Sequence, residues 1–357
     1  MASLLDPLEF IRGPVMKNRF MLAPLTNTQS HADGVLSDEE FHWLTMRAEG
    51  GFGLTMTCAA HVQARGQGFP GQLGIFHDKH LEGHSRLAGR INELGSISVC
   101  QLHHAGLRSP ADLIGETPVA PSADEKSGAR ALTLAEVKEL VEDFVQAALR
   151  CQEAGYHGVE IHGAHSYIVC QFLSEKYNRR DDEYGGSLEN RSRLLKEIVE
   201  GVRQRCGEQF MLGVRLSGER FGIRLQDSKD VAQSLMAGGS IDFLDMSLWD
   251  VFKQPEEEGM QDKSLLGHYA ELERHGVRLG VAGKIRTPEE AERALESGVD
   301  WIMLGRAAIL NHDFPTLYRE DPRFLPRQNP VTADELADEG VSPRFVEYLR
   351  NWEGFVA

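Results

Sequence analysis

Cysteine is thin and scattered in this chain. The five cysteines (Cys58, Cys100, Cys151, Cys170, Cys206) are odd in number and include no Cys-x-x-Cys pair. That argues against a zinc ribbon or a clustered iron–sulfur site and leaves buried thiols in a reducing cytoplasm as the simplest reading. Basic charge is also short: 38 Lys and Arg against 54 Asp and Glu give a net charge of −16. Nucleic acid or an anionic membrane is therefore not expected as the main partner. No apolar stretch is long enough to cross a bilayer, and the first residues lack a basic region ahead of an apolar core. Neither a membrane span nor a secretory leader is expected, and a cytoplasmic location is. There is no Ser/Gly linker, no low-complexity segment, and no Gly-x-Gly-x-x-Gly opening a helix. Acidity does not exclude an anionic cofactor, because a phosphate needs only local amide donors and one or two cations.

What is present is alternation. Short apolar runs at Arg19–Leu25, Gly53–Val62, Ile97–His104, Gly158–His162, Met211–Leu216, Asp242–Leu248, Val277–Ala282 and Val299–Leu304 are separated by longer amphipathic segments. Several runs are almost continuous in Val, Ile, Leu and Met, as strands covered on both faces should be. Between them, Leu134–Ala154, Leu188–Arg205 and Pro288–Glu296 carry apolar residues at spacings of three and four. Thr287-Pro288-Glu289-Glu290 supplies a cap, an N1 proline and acidic residues at a helix start. Eight strands alternating with helices predict an α/β fold, a single (β/α)8 TIM barrel spanning the one domain 1–357. The barrel core is expected at about 19–311, with an N-terminal extension, an excursion at 105–131 and a C-terminal tail over 312–357.

Pockets of such barrels form at the C-terminal strand ends. The fourth run ends in Glu160-Ile161-His162, followed by His165 and Tyr167, two imidazoles and a phenol within six positions. Together they can bind a carbonyl oxygen and deliver a proton. Taken alone, the histidines could equally be metal ligands or core residues, although no third ligand has convincing spacing. Tyr167 alone reads as a packing residue, Lys284 as a rim charge, and Arg215, inside the apolar fifth run, as a buried ion pair that needs a partner. Glycines just past the seventh and eighth runs, Gly283 beside Lys284 and Gly305 beside Arg306, match the usual barrel phosphate position. His103 shares the side of Gln101 by two-residue alternation.

These features, taken together and in order, resemble the Old Yellow Enzymes, FMN-dependent ene-reductases built on a β/α barrel. The resemblance runs from about Leu5 to about Arg306. It rests on Ala23-Pro24-Leu25-Thr26, Gln101-Leu102, Glu160-Ile161-His162-x-x-His165-x-Tyr167, the stretch Asn178 to Arg191, Arg215 and Gly305-Arg306. The resemblance implies non-covalent FMN against Ala23, Pro24, Leu25 and Thr26, with Ala59 beside the ring. It places Gln101 on the pyrimidine side, Arg215 at the N1/O2 edge, and Gly283, Lys284, Gly305 and Arg306 at the phosphate. His162 and His165 would grip the substrate's oxygen and Tyr167 would donate the proton. Asn178 to Arg191 reads as structural, with Gly185-Gly186 turning the chain and Ser187 starting a helix. The thermophilic-like branch of the family has cysteine at Thr26 and tyrosine at Thr28, which the resemblance places on a wall of the substrate pocket; the yeast-like branch often has asparagine at His165. The chain thus mixes both branches. Having neither a cysteine cluster nor nucleotide-binding domains after the barrel, it resembles the barrel-only members.

The implied reaction is reduction of the C=C bond of an α,β-unsaturated carbonyl or nitroalkene, with NADH or NADPH as hydride donor. A phenol, with an ordinary pKa of about 10, stays a donor at neutral pH. Two rivals stand beside it: an FMN barrel of the dihydroorotate or dihydrouridine dehydrogenase kind, and a flavin-binding barrel without physiological turnover. The expected partner is a small electron-poor alkene, with a homodimer or higher homo-oligomer possible and no metal. In the tail, Arg350 and Trp352 are candidates to reach a substrate pocket, on this barrel or a neighbour's, since both types anchor interfaces.

Overall fold

The computed structural model describes residues 2–357. Eight parallel strands close into one barrel: β1 (Phe20–Leu22), β2 (Leu54–His61), β3 (Ile97–His103), β4 (Gly158–Gly163), β5 (Met211–Ser217), β6 (Phe243–Ser247), β7 (Arg278–Ala282) and β8 (Trp301–Leu304). Each observed strand lies within its predicted run to within one residue at either end. The first run is trimmed furthest, because Ala23 to Thr26 already turn into the loop above β1. The two longest predicted helices form at Leu134–Glu153 and Leu188–Cys206. Pro288–Glu296 forms as expected, its Thr287 side chain and Glu290 completing a capping box. Among the described residues no helix is long and apolar enough to cross a membrane. All five cysteines are buried and unpaired.

Inward-facing residues alternate along each strand, so each strand contributes one row to the interior. The N-terminal end of that interior is apolar: Met21, Met56, Val99, Met211, Phe243 and Trp301 are buried in one cluster with Leu8 and Met16. The N-terminal extension closes this end. Leu8 and Met16 bridge in antiparallel fashion, and Phe10 stacks on Trp301 (5.5 Å) and Phe243 (6.3 Å). Glycine is required at Gly213 and Gly280, where a Cβ would overlap the Phe243 ring and the Trp301 indole.

The register fixes which rows meet. His162 pairs with Arg215 and Arg215 with Asp245, while Ala59 pairs with Gln101 and Gln101 with Glu160. One extra residue in β2 between Met56 and Ala59 forms a bulge that re-aims Ala59 toward the barrel mouth. The 105–131 excursion holds a 3-10 turn (Gly106–Arg108), a single α-helical turn (Ala111–Ile114) and a two-stranded pair (Val119–Ala120 with Arg130–Ala131). The Asn178–Arg191 stretch stitches that excursion down. Asn178 donates to the Phe172 and Tyr184 carbonyls, Arg180 to those of Pro121 and Leu132, and Arg191 pairs with Asp227 at 3.0 Å. The tail returns to its own barrel: Phe345 packs edge-on against Trp43 (5.5 Å), and Arg344 donates to the Ser30 carbonyl.

Candidate active site

A cavity of about 480 Å3 opens at the C-terminal end of the strands. Ala23, Pro24, Leu25 and Thr26 after β1, Ala59 in β2 and Gln101 in β3 form one side of it. His162, His165 and Tyr167 come from β4 and the turn after it, and Arg215 from β5. Gly283, Lys284, Gly305 and Arg306, after β7 and β8, line its far end. The structure thus brings together every predicted site residue of the barrel strand ends. Gly283 is needed for closeness: a Cβ there would come within 3.0–3.1 Å of the Trp249 and Asp250 backbone.

The β4 turn is tightly wound. His165 and Ser166 both hold positive φ (61° and 60°), a conformation non-glycine residues adopt only when the surroundings enforce it. Here the His165 amide donates to Ser217 Oγ (3.0 Å), and Arg108 donates to the His165 carbonyl (2.8 Å). The winding turns the His165 ring onto His162, so that His162 Nε2 and His165 Nδ1 lie 2.9 Å apart. Tyr167 stands edge-on to both rings, with Arg108 over its face at 4.7 Å. Burial holds both imidazoles neutral: it pushes His162 well below the ordinary histidine range and His165 down to about 3, with Arg215 and Arg108 adding to the shift in His165.

Arg215 has no carboxylate within ion-pair distance among the described residues. Its Nε is buried without a hydrogen-bond partner, and Nη2 reaches Ser247 Oγ only at 3.4 Å. The expected ion pair is therefore replaced by a longer-range arrangement. Below Arg215, Glu160 and Asp245 face each other, both fully buried. Gln101 donates to Glu160 at 2.6 Å, but Glu160 Oε2 and both Asp245 oxygens have no conventional partner. Burial pushes both carboxyls up, and Glu160 pushes Asp245 further, so the pair retains a proton.

Two candidates fall outside the cavity. Thr28 sits at φ 58° with its hydroxyl donating to the Asn27 carbonyl, and it lines a separate groove with His31, Pro70 and Tyr348. Arg350 is exposed and lies 3.5 Å from Glu347. Trp352 does line the cavity, on its own chain, with Arg306 over its ring at 5.3 Å. Among the lining residues not expected from the sequence are Ser247, Trp249, Arg286 and Tyr348. Ser247 was recoverable by alternation from Asp245; the other three come from loops and the tail, where no periodicity points inward. Among the described residues no group of three or more His, Cys, Asp or Glu is placed to hold a metal ion.

Comparison with known proteins converges on one group. Residues 3–321 match the model of the NADH:flavin oxidoreductase / NADH oxidase family. The chain is 32% identical over 328 residues to the probable NADH-dependent flavin oxidoreductase YqiG of Bacillus subtilis, covering 89% of this chain and 88% of that one. It is 34% identical over 359 residues to an NADPH dehydrogenase of the same organism, covering 96% and 97%. Three other relatives are longer, and the chain spans only 50%, 35% and 32% of them. The solved structure of the old yellow enzyme homologue from Zymomonas mobilis superposes with a TM-score of 0.82 at 30% identity, over 96% of this chain and 99% of that one.

Proposed function

The chain belongs to the NADH:flavin oxidoreductase / NADH oxidase family, as an Old Yellow Enzyme with FMN and NADH or NADPH as its cofactors, and on that footing we propose that it reduces the C=C bond of α,β-unsaturated carbonyls or nitroalkenes. The observation that carries this reading is the hydrogen-bonded His162–His165 pair beside Tyr167 on one wall of the cavity.

The cavity fits the cofactor. Arg215 keeps a buried, unpartnered Nε on the wall shared with Gln101, as a polar ring edge would need. At the far end Lys284, Arg286 and Arg306 gather. Lys284 is held by Asp250 at 3.2 Å, whereas Arg286 bears on Arg306 as a like charge, the arrangement a phosphate relieves. Small residues Ala23 and Ala59 leave room for a flat ring between these ends. When bound, FMN supplies the redox chemistry, taking a hydride from NADH or NADPH and passing it to the alkene.

The chain's own residues do the rest. Neutral His162 and His165 hydrogen-bond the substrate oxygen and stabilise the enolate-like charge that develops on it, each such donor being worth on the order of 3 kcal/mol of barrier in comparable sites. Tyr167 places its hydroxyl proton at the carbon that needs it. Trp352 and Tyr348 cover the mouth and limit water entry. The tail is thereby part of the same domain as the barrel.

The test follows the two half-reactions separately. With cyclohexenone as oxidant, Tyr167→Phe should slow reoxidation of the flavin by far more than its reduction by NAD(P)H. Equal slowing of both would remove the proton-donor role. Turnover of dihydroorotate with none of cyclohexenone, a nitroalkene or a maleimide would instead place the chain with the dehydrogenase-type FMN barrels.

A further inference from the structure

Behind the proposed oxygen clamp lies a third imidazole. His103, at the end of β3, is fully buried, and its Nδ1 lies 3.1 Å from His162 Nδ1. From there a single chain of contacts runs outward. His162 Nε2 meets His165 Nδ1 at 2.9 Å, His165 Nε2 meets Ser247 Oγ at 2.7 Å, and Arg215 Nη2 lies 3.4 Å from that same oxygen. We propose that His103 is a positioning residue that fixes the proton of His162 on Nε2, the nitrogen on the side of the cavity, and through it sets the direction of the His162–His165–Ser247 line.

Burial pushes His103 well below the ordinary histidine range, as it does His162 and His165, and His104, His61, Arg108 and His165 add to the shift in His103. The three rings are accordingly neutral, and a neutral imidazole has one N–H and one bare nitrogen. Three such rings in line admit only two consistent arrangements. In the outward one, His103 Nδ1–H donates to His162, His162 Nε2–H to His165, and His165 Nε2–H to Ser247. In the inward one every bond is reversed, and His103 must carry its proton on Nε2. That atom is buried and has no partner. The Tyr167 ring packs T-shaped against the same imidazole, 4.2 Å away between centroids. A buried N–H without an acceptor is the costlier orphan, so the outward arrangement prevails. Ser247 supports it as well, since its oxygen can accept from both His165 and Arg215 and leave its own proton free.

The consequence bears on the reaction. His162 Nδ1 is occupied from behind by His103, so the Nε2–H, turned onto His165 Nδ1 in this structure, is the one that a ligand oxygen can take over, and it serves an oxygen only if it carries the proton. This inference rests on the reading of His162 and His165 as the oxygen clamp, but the tautomer is measurable without any substrate. In FMN-loaded protein carrying 15N-histidine, long-range 1H–15N correlations should report His162 as the Nε2–H form. His103→Leu should shift it to a mixture or to Nδ1–H, and weaken cyclohexenone binding to the oxidised holoenzyme about tenfold. His103→Asn, whose amide can still donate, should restore both to within about twofold. If His103→Leu fails to fold, His103→Phe, which removes the donor but keeps a ring, takes its place. An unchanged His162 tautomer in the variant without a donor overturns the proposal. A shifted tautomer with cyclohexenone binding untouched in both that variant and His162→Ala would instead leave His103 in its role and sink the clamp.

Discussion

At the N-terminal end of the barrel interior, Val99, Met211, Phe243 and Trp301 fill the space with hydrocarbon, and Phe10 seals it. Two residues further along the same inward rows stand Gln101, Gly213, Asp245 and Met303, and two beyond those come His103, Arg215 and Ser247. At the lower end the Trp301 indole nitrogen is the only buried polar side-chain atom of that layer without a hydrogen-bond partner, among the described residues. At the upper end His103 Nε2, Glu160 Oε2, Arg215 Nε and both Asp245 oxygens are buried without one. The scaffold end is filled with hydrocarbon, and most of the unsatisfied polar groups of the interior rows lie beneath the cavity. That is the pattern of strain and desolvation stored where a ligand will meet it. The lower end accounts for stability and the upper end for chemistry.

The sharpest way to break this division is to exchange the effects. Phe243→Ala should cost about 3–5 kcal/mol of stability, the range for truncating a buried aromatic, while FMN-loaded protein keeps its turnover number below its melting temperature. Urea unfolding beside steady-state kinetics would reveal a failure, namely turnover lost with stability intact. His162→Ala should do the reverse. It should lower kcat/KM for an enone by roughly 10²-fold or more and move the unfolding midpoint little.

A subtler probe uses the acid pair. Because the folded pKa values of Glu160 and Asp245 are raised, their contribution is fully present below the unfolded carboxylate range and is lost as pH rises through the folded values. Asp245→Asn removes part of that loss. The variant's stability advantage should therefore widen from about pH 4 upward, by at most about 1.4 kcal/mol per pH unit, and then level off. An advantage that shrinks with rising pH would mean that the pair is ionised and matched by Arg215. The smallest effect belongs outside both regions: Arg350→Ala, exposed and loosely paired with Glu347, should change stability by under about 0.5 kcal/mol and leave enone kinetics alone.

Much of this molecule can be read from its residues in order. The eight strands declare themselves because each is covered on both faces and so forms a nearly unbroken apolar run. The helix at Pro288–Glu296 declares its first residue through Thr287, Pro288 and Glu290. Gln101, His162, Arg215 and the glycines at 283 and 305 are visible as polar or small exceptions at strand ends. Arg286, Trp249 and Tyr348 are not, because loops and tail carry no period that tells inside from outside. Thr28 failed as a pocket residue for a related reason. Its left-handed backbone turns it into a neighbouring groove, and nothing in the residue itself announces that φ.

What the sequence determined by itself is everything governed by neighbours along the chain: strand and helix positions, caps, the alternation that puts Gln101 with His103 and Asp245 with Ser247, and the turn that joins His162 to His165. Closure of the barrel decided the rest. The register across β3 and β4 brings His103 to His162, 59 residues apart. That across β5 and β6 sets Arg215 in register with Asp245, yet without a carboxylate at ion-pair distance among the described residues. The returning tail lays Trp352 under Arg306. These pairings depend on how eight strands stagger around a ring and where the last helix packs. Both are set by the summed packing of the whole interior rather than by any local pattern.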